Sequence, residues 1–452
     1  MRKSILAFLG AVLGAGAVFL TAPGRLGIEA RAAETPAAQS AAETYKQMAL
    51  FGLIFDQVRA HYVDDPNVQK MIEGAVSGML NGLDPHSSYM NAKSFGEMQV
   101  ETNGEFGGLG MEVTMEDGLV KVVSPIDDTP AARAGIQAND VITELDGNQV
   151  KGLTLQQAVE KMRGPVNTSV RLKVVRKGAD KPLEFTLTRE TIKVRSVRWR
   201  KEGDDVGYIR ITQFNAQVAD ELKKAIRQLG GDDPDKMKGY ILDLRNNPGG
   251  LLDQAVSVSN AFLDRGEIVS LRGRNPDDAQ RFDAKSYPGD LIKGKPLIIL
   301  INGGSASASE IVAGALQDQK RATILGTRTF GKGSVQTIIP LGGNNGALRL
   351  TTARYYTPSG RSIQAKGVSP DIEVLQDVPA DQQAHDMTSE SKLRGHLKGQ
   401  GEGAEQTGSQ SYVPQNPKDD KALHMALDLL RGVKTANPGA APKGDSKATS
   451  PN

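Results

Sequence analysis

Apolar and polar positions change rhythm several times along the 452 residues. Behind Arg2 and Lys3 runs an uncharged apolar stretch, 5–22, interrupted by Gly10, Gly14 and Gly16. After an Ala-rich linker at 32–42, Met48, Phe51, Phe55 and Val58 recur at helical spacing, which predicts a helix over 43–62. A second helix is predicted over 68–80, ended by Gly82 and followed by the turn-rich Leu83-Asp84-Pro85-His86-Ser87-Ser88-Tyr89. From 103 to 190 the elements are short. Gly104, Gly107, Gly108 and Gly110 lead into brief strands, and Gly135 ends a short helix begun at Thr129-Pro130-Ala131. A helix over 153–162 is stopped by Gly164-Pro165, and 170–176 and 183–189 alternate as a hairpin does. This is the texture of a small independent module.

From 191 to 374 the pattern is different. Apolar strand runs at 206–212, 240–244, 297–301 and 322–325 alternate with helical stretches at 216–230, 251–264 and 308–319. That alternation predicts an α/β layer. From 375 to 452 the chain turns polar, rich in Gln, Ser, Gly and Pro, and is expected to be mostly flexible linker and tail. The exception is an amphipathic helix at 418–430.

Composition narrows the chemistry. Lys and Arg number 55 against 53 Asp and Glu, for a net charge of +2, so a strongly basic nucleic-acid binder is not expected. No cysteine is present, which removes disulfides, thiolate metal sites and cysteine nucleophiles. The five histidines leave the stretch from 87 to 384 empty. Chemistry there must proceed without imidazole, and neither a metal nor a cofactor is expected. The N-terminus has the pattern of a secretory signal peptide over 1–32, with Ala30-Arg31-Ala32 as an A-x-A-like cleavage site. Left uncleaved, the same run is near the length of a membrane anchor.

Three segments carry candidate chemistry. Asn302-Gly303-Gly304-Ser305-Ala306-Ser307-Ala308-Ser309-Glu310 lies between an apolar strand and a helix. One serine there would sit where free helix N–H groups stabilise an oxyanion. Taken alone, the segment better suits an ordinary Ser-rich N-cap. Gly326-Thr327-Arg328-Thr329-Phe330-Gly331-Lys332-Gly333-Ser334-Val335-Gln336 sets one lysine among glycines. A lysine serves as general base once burial lowers its pKa; Val335, Ile338 and Ile339 are expected to keep it dry. Gln336, on the same face of a strand as Lys332, is expected to orient the amine. Gly326 to Lys332 also fits the start of a P-loop, but Gly333 stands where Ser or Thr is needed and a strand pattern follows. In Asp243-Leu244-Arg245-Asn246-Asn247-Pro248-Gly249-Gly250 the glycines offer a second backbone N–H.

Taken in order, these segments resemble the carboxyl-terminal processing (tail-specific) proteases, serine peptidases with a Ser-Lys-Gln site. The likeness covers roughly 45–374. It implies that Ser307 is the nucleophile, Lys332 its base and Gln336 the residue orienting the base. Backbone N–H groups of Ala308 and of Gly249 or Gly250 would form the oxyanion hole, with Glu310 supporting the site. Residues 103–190 look like a PDZ domain. Gly107, Gly108, Leu109, Gly110 and Met111 would be its carboxylate-binding loop, and a peptide would add beside the following strand. Arg163, at the end of the module's second helix, would sense the bound tail. His86 is assigned a structural role, since Lys332 fills the position of the base.

The expected architecture is therefore multidomain: an α/β protease core (191–374) carrying an inserted PDZ domain, N-terminal helices (43–100) and a tail. The expected protein is an exported serine endopeptidase, in the periplasm or on the outer face of the inner membrane. It would recognise C-terminal tails of protein substrates and cut them. The resemblance also implies self-association and an adaptor protein. The membrane would be met only through an uncleaved N-terminal segment. The rivals are an inactive PDZ scaffold that binds C-termini and a P-loop nucleotide hydrolase.

Overall fold

A computed structural model describes residues 36–433, except 232–233, 288, 381–382, 384–386 and 402–403. The apolar run at 5–22 and the cleavage motif at 30–32 lie outside the described residues. The chain divides into two compact units, 1–71 and 72–452. In the first, the helix Pro36–His61 leaves Met48, Phe51, Leu53, Ile54 and Val58 exposed.

The second unit is built on a six-stranded sheet. Its order is Val197–Glu202, Val206–Ile211, Gly239–Asp243, Leu297–Ile301, Thr323–Gly326 and Ile372–Glu373, antiparallel at the first pair and parallel thereafter. Parallel sheets need both faces covered. The helices Val218–Gly230, Leu252–Asn260 and Ala308–Asp318 bury one face, around Ile209, Leu242, Ile299 and Ile324. Ala422, Leu423, Ala426 and Leu427 of the helix Lys421–Arg431 cover the other, around Tyr208, Ile241, Ile298 and Leu325. This two-sided cover explains why Leu297–Ile301 is apolar at every position.

The predicted helix at 418–430 is thus an integral layer, and more of the polar stretch after 374 is tied down than its composition suggests. Strands Met387–Thr388 and Ser409–Gln410 pair, and Gly303 N donates to Gln410 O at 2.8 Å. Polar groups hold this stretch, with Glu390 fully buried and Ser389 and Ser409 nearly so.

A second, five-stranded sheet contains Ala347–Tyr356, paired with Ser334–Pro340, with Glu267–Gly273 and with Ser88–Met90. The turn-rich segment before residue 90 therefore contributes a strand to the core. A third sheet, from Met111–Glu116 to Leu183–Thr188, closes around its own apolar cluster with the helix Leu155–Met162. Its chain arrives by Glu105–Gly108 and leaves by Glu190–Lys193, and these two strands pair as a neck.

A charge network locks the C-terminal helix to the central sheet. Arg245, nearly fully buried, donates to Asp243 at 2.6 Å and to Asp420 at 2.8 Å, and Asp420 caps Leu423 N at 3.1 Å. Removing one member strands the others in a dry interior. Asp420→Ala should lower unfolding free energy by about 3 kcal/mol or more. An unchanged denaturation midpoint would show that the network contributes nothing.

Candidate active site

Three loops meet at the C-terminal ends of adjacent parallel strands: 244–250, 302–307 and 327–333. Backbone bonds stitch them, Ala306 N to Asn247 O and Phe330 N to Ser305 O, each 3.0 Å. Ser305 Oγ adds a bond to Leu244 O at 2.8 Å, and Ser309 Oγ one to Asn247 O at 3.0 Å. Of the three serines only Ser307 turns to a different partner, for its Oγ lies 2.9 Å from the hydroxyl of Tyr355.

Ser307 stands immediately before the helix Ala308–Asp318 with φ 54° and ψ −112°. That conformation costs a non-glycine residue of order 1–3 kcal/mol and persists only when its surroundings impose it. Gly249 (φ +102°) packs against it so closely that a Cβ there would come within 2.8 Å of Ser307 Cβ and 2.9 Å of Ala308 N. The Gly249 N–H is engaged by Asn247 Oδ1 at 2.9 Å. Among the described residues no acceptor takes the N–H of Ala308 or of Gly250.

Glu310 joins this corner to the lysine loop. Its carboxylate is wholly buried and accepts from Ser307 N (2.8 Å), Gly331 N (2.8 Å), Lys332 N (2.9 Å) and Thr329 Oγ1 (2.5 Å). Burial pushes its pKa up to about 7, against the pull of these four donors. Burial also pushes the Tyr355 hydroxyl up, to about 12.

Lys332 is half-buried, and desolvation holds its amine below the ordinary lysine value of 10.5. Among the surrounding charges Glu390 opposes this most strongly; Arg349 assists it, and Glu310 and Asp84 oppose it. Of the three residues expected to cover it, Ile339 is 38% exposed, while Val335 and Ile338 are half-buried and Val335 packs against the main core. Among the described residues no hydrogen bond joins the lysine amine to Ser307 Oγ or to Gln336. Gln336 Nε2 donates instead to Ser334 Oγ and Thr351 Oγ1, both at 3.1 Å. The expected strand face is interrupted, because the strand begins at Ser334 and its register shifts between Val335 and Gln336. That strand, in place of a helix, also removes the P-loop reading.

His86 is paired with a buried acid away from Ser307 Oγ, whose partner is Tyr355. Its Nε2 lies 2.8 Å from Glu390, while Asp84 accepts from His86 N and Ser87 N at 2.9 Å each. Tyr355 and Glu390 are the site's neighbours that the sequence reading did not single out. Only the adjacency of Tyr355 and Tyr356 in a strand hinted that one of them faces inward.

In the inserted module, Leu109 and Gly110 are buried and no acceptor takes either N–H among the described residues. Gly110 (φ +77°) leaves no room for a Cβ against Thr129, whose Oγ1 donates to Gly110 O at 2.9 Å. Gly107 and Gly108 lie in the neck strand, and Met111 opens the strand Met111–Glu116, which among the described residues pairs on one edge only. Arg163 is exposed, and its guanidinium lies 4.2 Å from the centre of the Phe106 ring.

Family models match three stretches: peptidase family S41 over 205–374, a PDZ domain over 121–176, and the activating protease CtpB N-terminal domain over 11–94. A carboxy-terminal-processing protease of Bartonella bacilliformis is 59% identical over 394 residues, covering 87% of this chain and 90% of its own. The carboxy-terminal processing protease CtpB of Bacillus subtilis is 34% identical over 351 residues, covering 76% and 71% respectively. A solved photosystem II D1 C-terminal processing protease is 30% identical, covers 70% of this chain and 85% of its own, and has a TM-score of 0.42. With a catalytic-type corner and a PDZ module in one chain, and a relative alike over nine-tenths of its length, the chain belongs to the carboxy-terminal processing proteases, serine-type peptidases of family S41.

Proposed function

We propose that the protein is an exported endopeptidase that captures the C-terminal tail of a protein substrate in its PDZ module and cuts with Ser307 and Lys332. The observation that carries this reading is Ser307: strained, at a helix N-terminus, next to the open N–H of Ala308, and tied through Glu310 to the loop of a desolvated lysine. Ser307 Oγ attacks the scissile carbonyl as its proton passes to neutral Lys332. The ammonium then protonates the leaving amine, and the same lysine activates the water that releases the acyl-enzyme. Ala308 N–H and Gly250 N–H receive the oxyanion, since the amide of Gly249 is already engaged. Gln336 bears on the lysine when the site closes. In the arrangement observed Ser307 Oγ is held by Tyr355, so the reaction begins when that hydroxyl pair opens. Export rests on the pattern of residues 2–32. Self-association rests on the exposed stripe of the helix Pro36–His61.

Ser307→Ala and Lys332→Ala should each abolish casein cleavage while leaving the melting transition in place. Wild-type kcat/KM should climb with pH as the amine loses its proton and level off below 10.5. Full turnover by Lys332→Ala, or a flat profile, would sink the lysine base; a folded wild-type protein without cleavage would favour the scaffold.

The Glu310 carboxylate is surrounded by donors, and an amide cannot accept from all of them. Glu310→Gln should cost about 1–3 kcal/mol of stability, from a buried N–H left unpaired. It should also reduce kcat more than tenfold with little change in KM. Wild-type kcat in this variant would remove Glu310 from the site.

Tail capture rests on the open N–H groups of Leu109 and Gly110 and on the unpaired edge of Met111–Glu116. A substrate with its C-terminus converted to an amide should be turned over at least several-fold more slowly at low concentration. Equal kcat/KM for acid and amide would exclude carboxylate recognition by the module.

A further inference from the structure

The loop that presents Lys332 is held from its far side by residues outside the matched peptidase segment, which ends at 374. Glu390 is fully buried. Its backbone N–H donates to Phe330 O at 2.9 Å, just before the lysine. Its carboxylate receives Gln364 Nε2 at 2.9 Å, and Gln364 Oε1 in turn receives Gly333 N at 3.0 Å, just after the lysine. His86 Nε2 reaches the same carboxylate at 2.8 Å. The circuit continues through Asp84, which takes His86 N at 2.9 Å and the Thr351 hydroxyl at 3.1 Å. Thr351 Oγ1 in turn accepts from Gln336 Nε2. The lysine loop is therefore clamped on both sides by one buried acid.

We propose that Glu390, clamped between His86 and Gln364, is a positioning residue that fixes the Lys332 loop and sets a buried negative charge against the amine it presents. This rests on Lys332 being the base. A buried acid favours a nearby ammonium, whereas burial disfavours it. The charged groups acting on the amine are Glu390, Glu310 and Asp84 on one side of the balance and Arg349 on the other, with His86 set against Glu390. Glu390 is the strongest of the acids, so it works as a damper. Its removal releases the base at lower pH, in exchange for a looser loop.

The test compares pH profiles of kcat/KM in the full chain. In Glu390→Gln the loss of the negative charge lowers the lysine pKa, so the rising limb should move down by about half a unit to one unit. Below the limb, kcat/KM should then exceed wild type by about 3- to 10-fold. Glu390→Asp keeps the charge, so its limb should stay in place while kcat falls. His86→Gln keeps a donor toward Glu390 and should retain turnover. Titration of labelled lysine Nζ by NMR in a Ser307→Ala background reads the same shift without turnover, and applies if Glu390→Gln proves slow. An unmoved Lys332 titration in folded Glu390→Gln, a limb moved down in Glu390→Asp, or a dead His86→Gln overturns the proposal. Full activity in Lys332→Ala would instead overturn the lysine-base reading beneath it.

Discussion

One carboxylate decides whether this site exists. Glu310 sits three residues into its helix and takes the N–H of Ser307 with one oxygen, which it shares with Lys332 N; the other oxygen takes Gly331 N and the Thr329 hydroxyl. The two loops it joins follow neighbouring parallel strands, Leu297–Ile301 and Thr323–Gly326, so both emerge at the same sheet edge. Ligand and reaction sites of open α/β sheets fall at that edge because the loops there converge. The carboxylate turns proximity into fixed geometry. The positive φ of Ser307 is sustained by the same bond, since its N–H must point at the acid.

Two buried acids in this molecule titrate in opposite directions, and the difference lies in their partners. Burial acts on both. For Asp243 the guanidinium groups of Arg245 and Arg210 overcome it and hold the pKa at about 2. Glu310 has only neutral hydrogen-bond donors in contact, and burial wins, at about 7. The linkage signs follow. Asp243 contributes stability above its unfolded value of 3.8 that is lost as pH falls toward 2. Glu310 binds a proton more tightly folded than unfolded, so its contribution declines as pH rises from 4.5 to about 7 and is constant beyond. The scaffold is thus anchored by a charge pair that neutral pH leaves untouched, while the site itself carries a carboxylate that changes state near neutrality.

Much of this was legible in the chain, for identifiable reasons. Strands buried on both faces read as unbroken apolar runs, and Leu297–Ile301 is one of them. The helix Lys421–Arg431 showed its apolar stripe. The helix Ala92–Asn103 falls mostly within the region that reads as N-terminal helices, but it has no pattern of its own: it buries no residue fully, so it has no strong stripe, and its bounds are set by the Asn91 side chain and by Gly104. The stretch after 374 reads as tail because hydrophobic periodicity cannot register elements held by buried polar groups. Glu390 and Ser409 are buried by hydrogen bonds to loops far away in sequence. Ser307 and Lys332 were found through short motifs, whereas Glu390 meets His86 across 304 residues, a separation that no local pattern encodes.

That separation changes what counts as the enzyme. The peptidase model spans 205–374, yet the strand Ala347–Tyr356, which delivers Tyr355 to Ser307, is flanked by Ser88–Met90 from upstream. The loop of Lys332 is buttressed by Glu390 from downstream. The PDZ module joins through a neck, Glu105–Gly108 with Glu190–Lys193, a short distance along the chain from both Ser88–Met90 and the first core strand. The edge strand Met111–Glu116 is therefore separated from the strand Ser88–Met90 of the second core sheet only by the helix Ala92–Asn103 and the neck. The module and the candidate site thus draw on neighbouring stretches of one backbone, upstream and downstream of the matched peptidase segment.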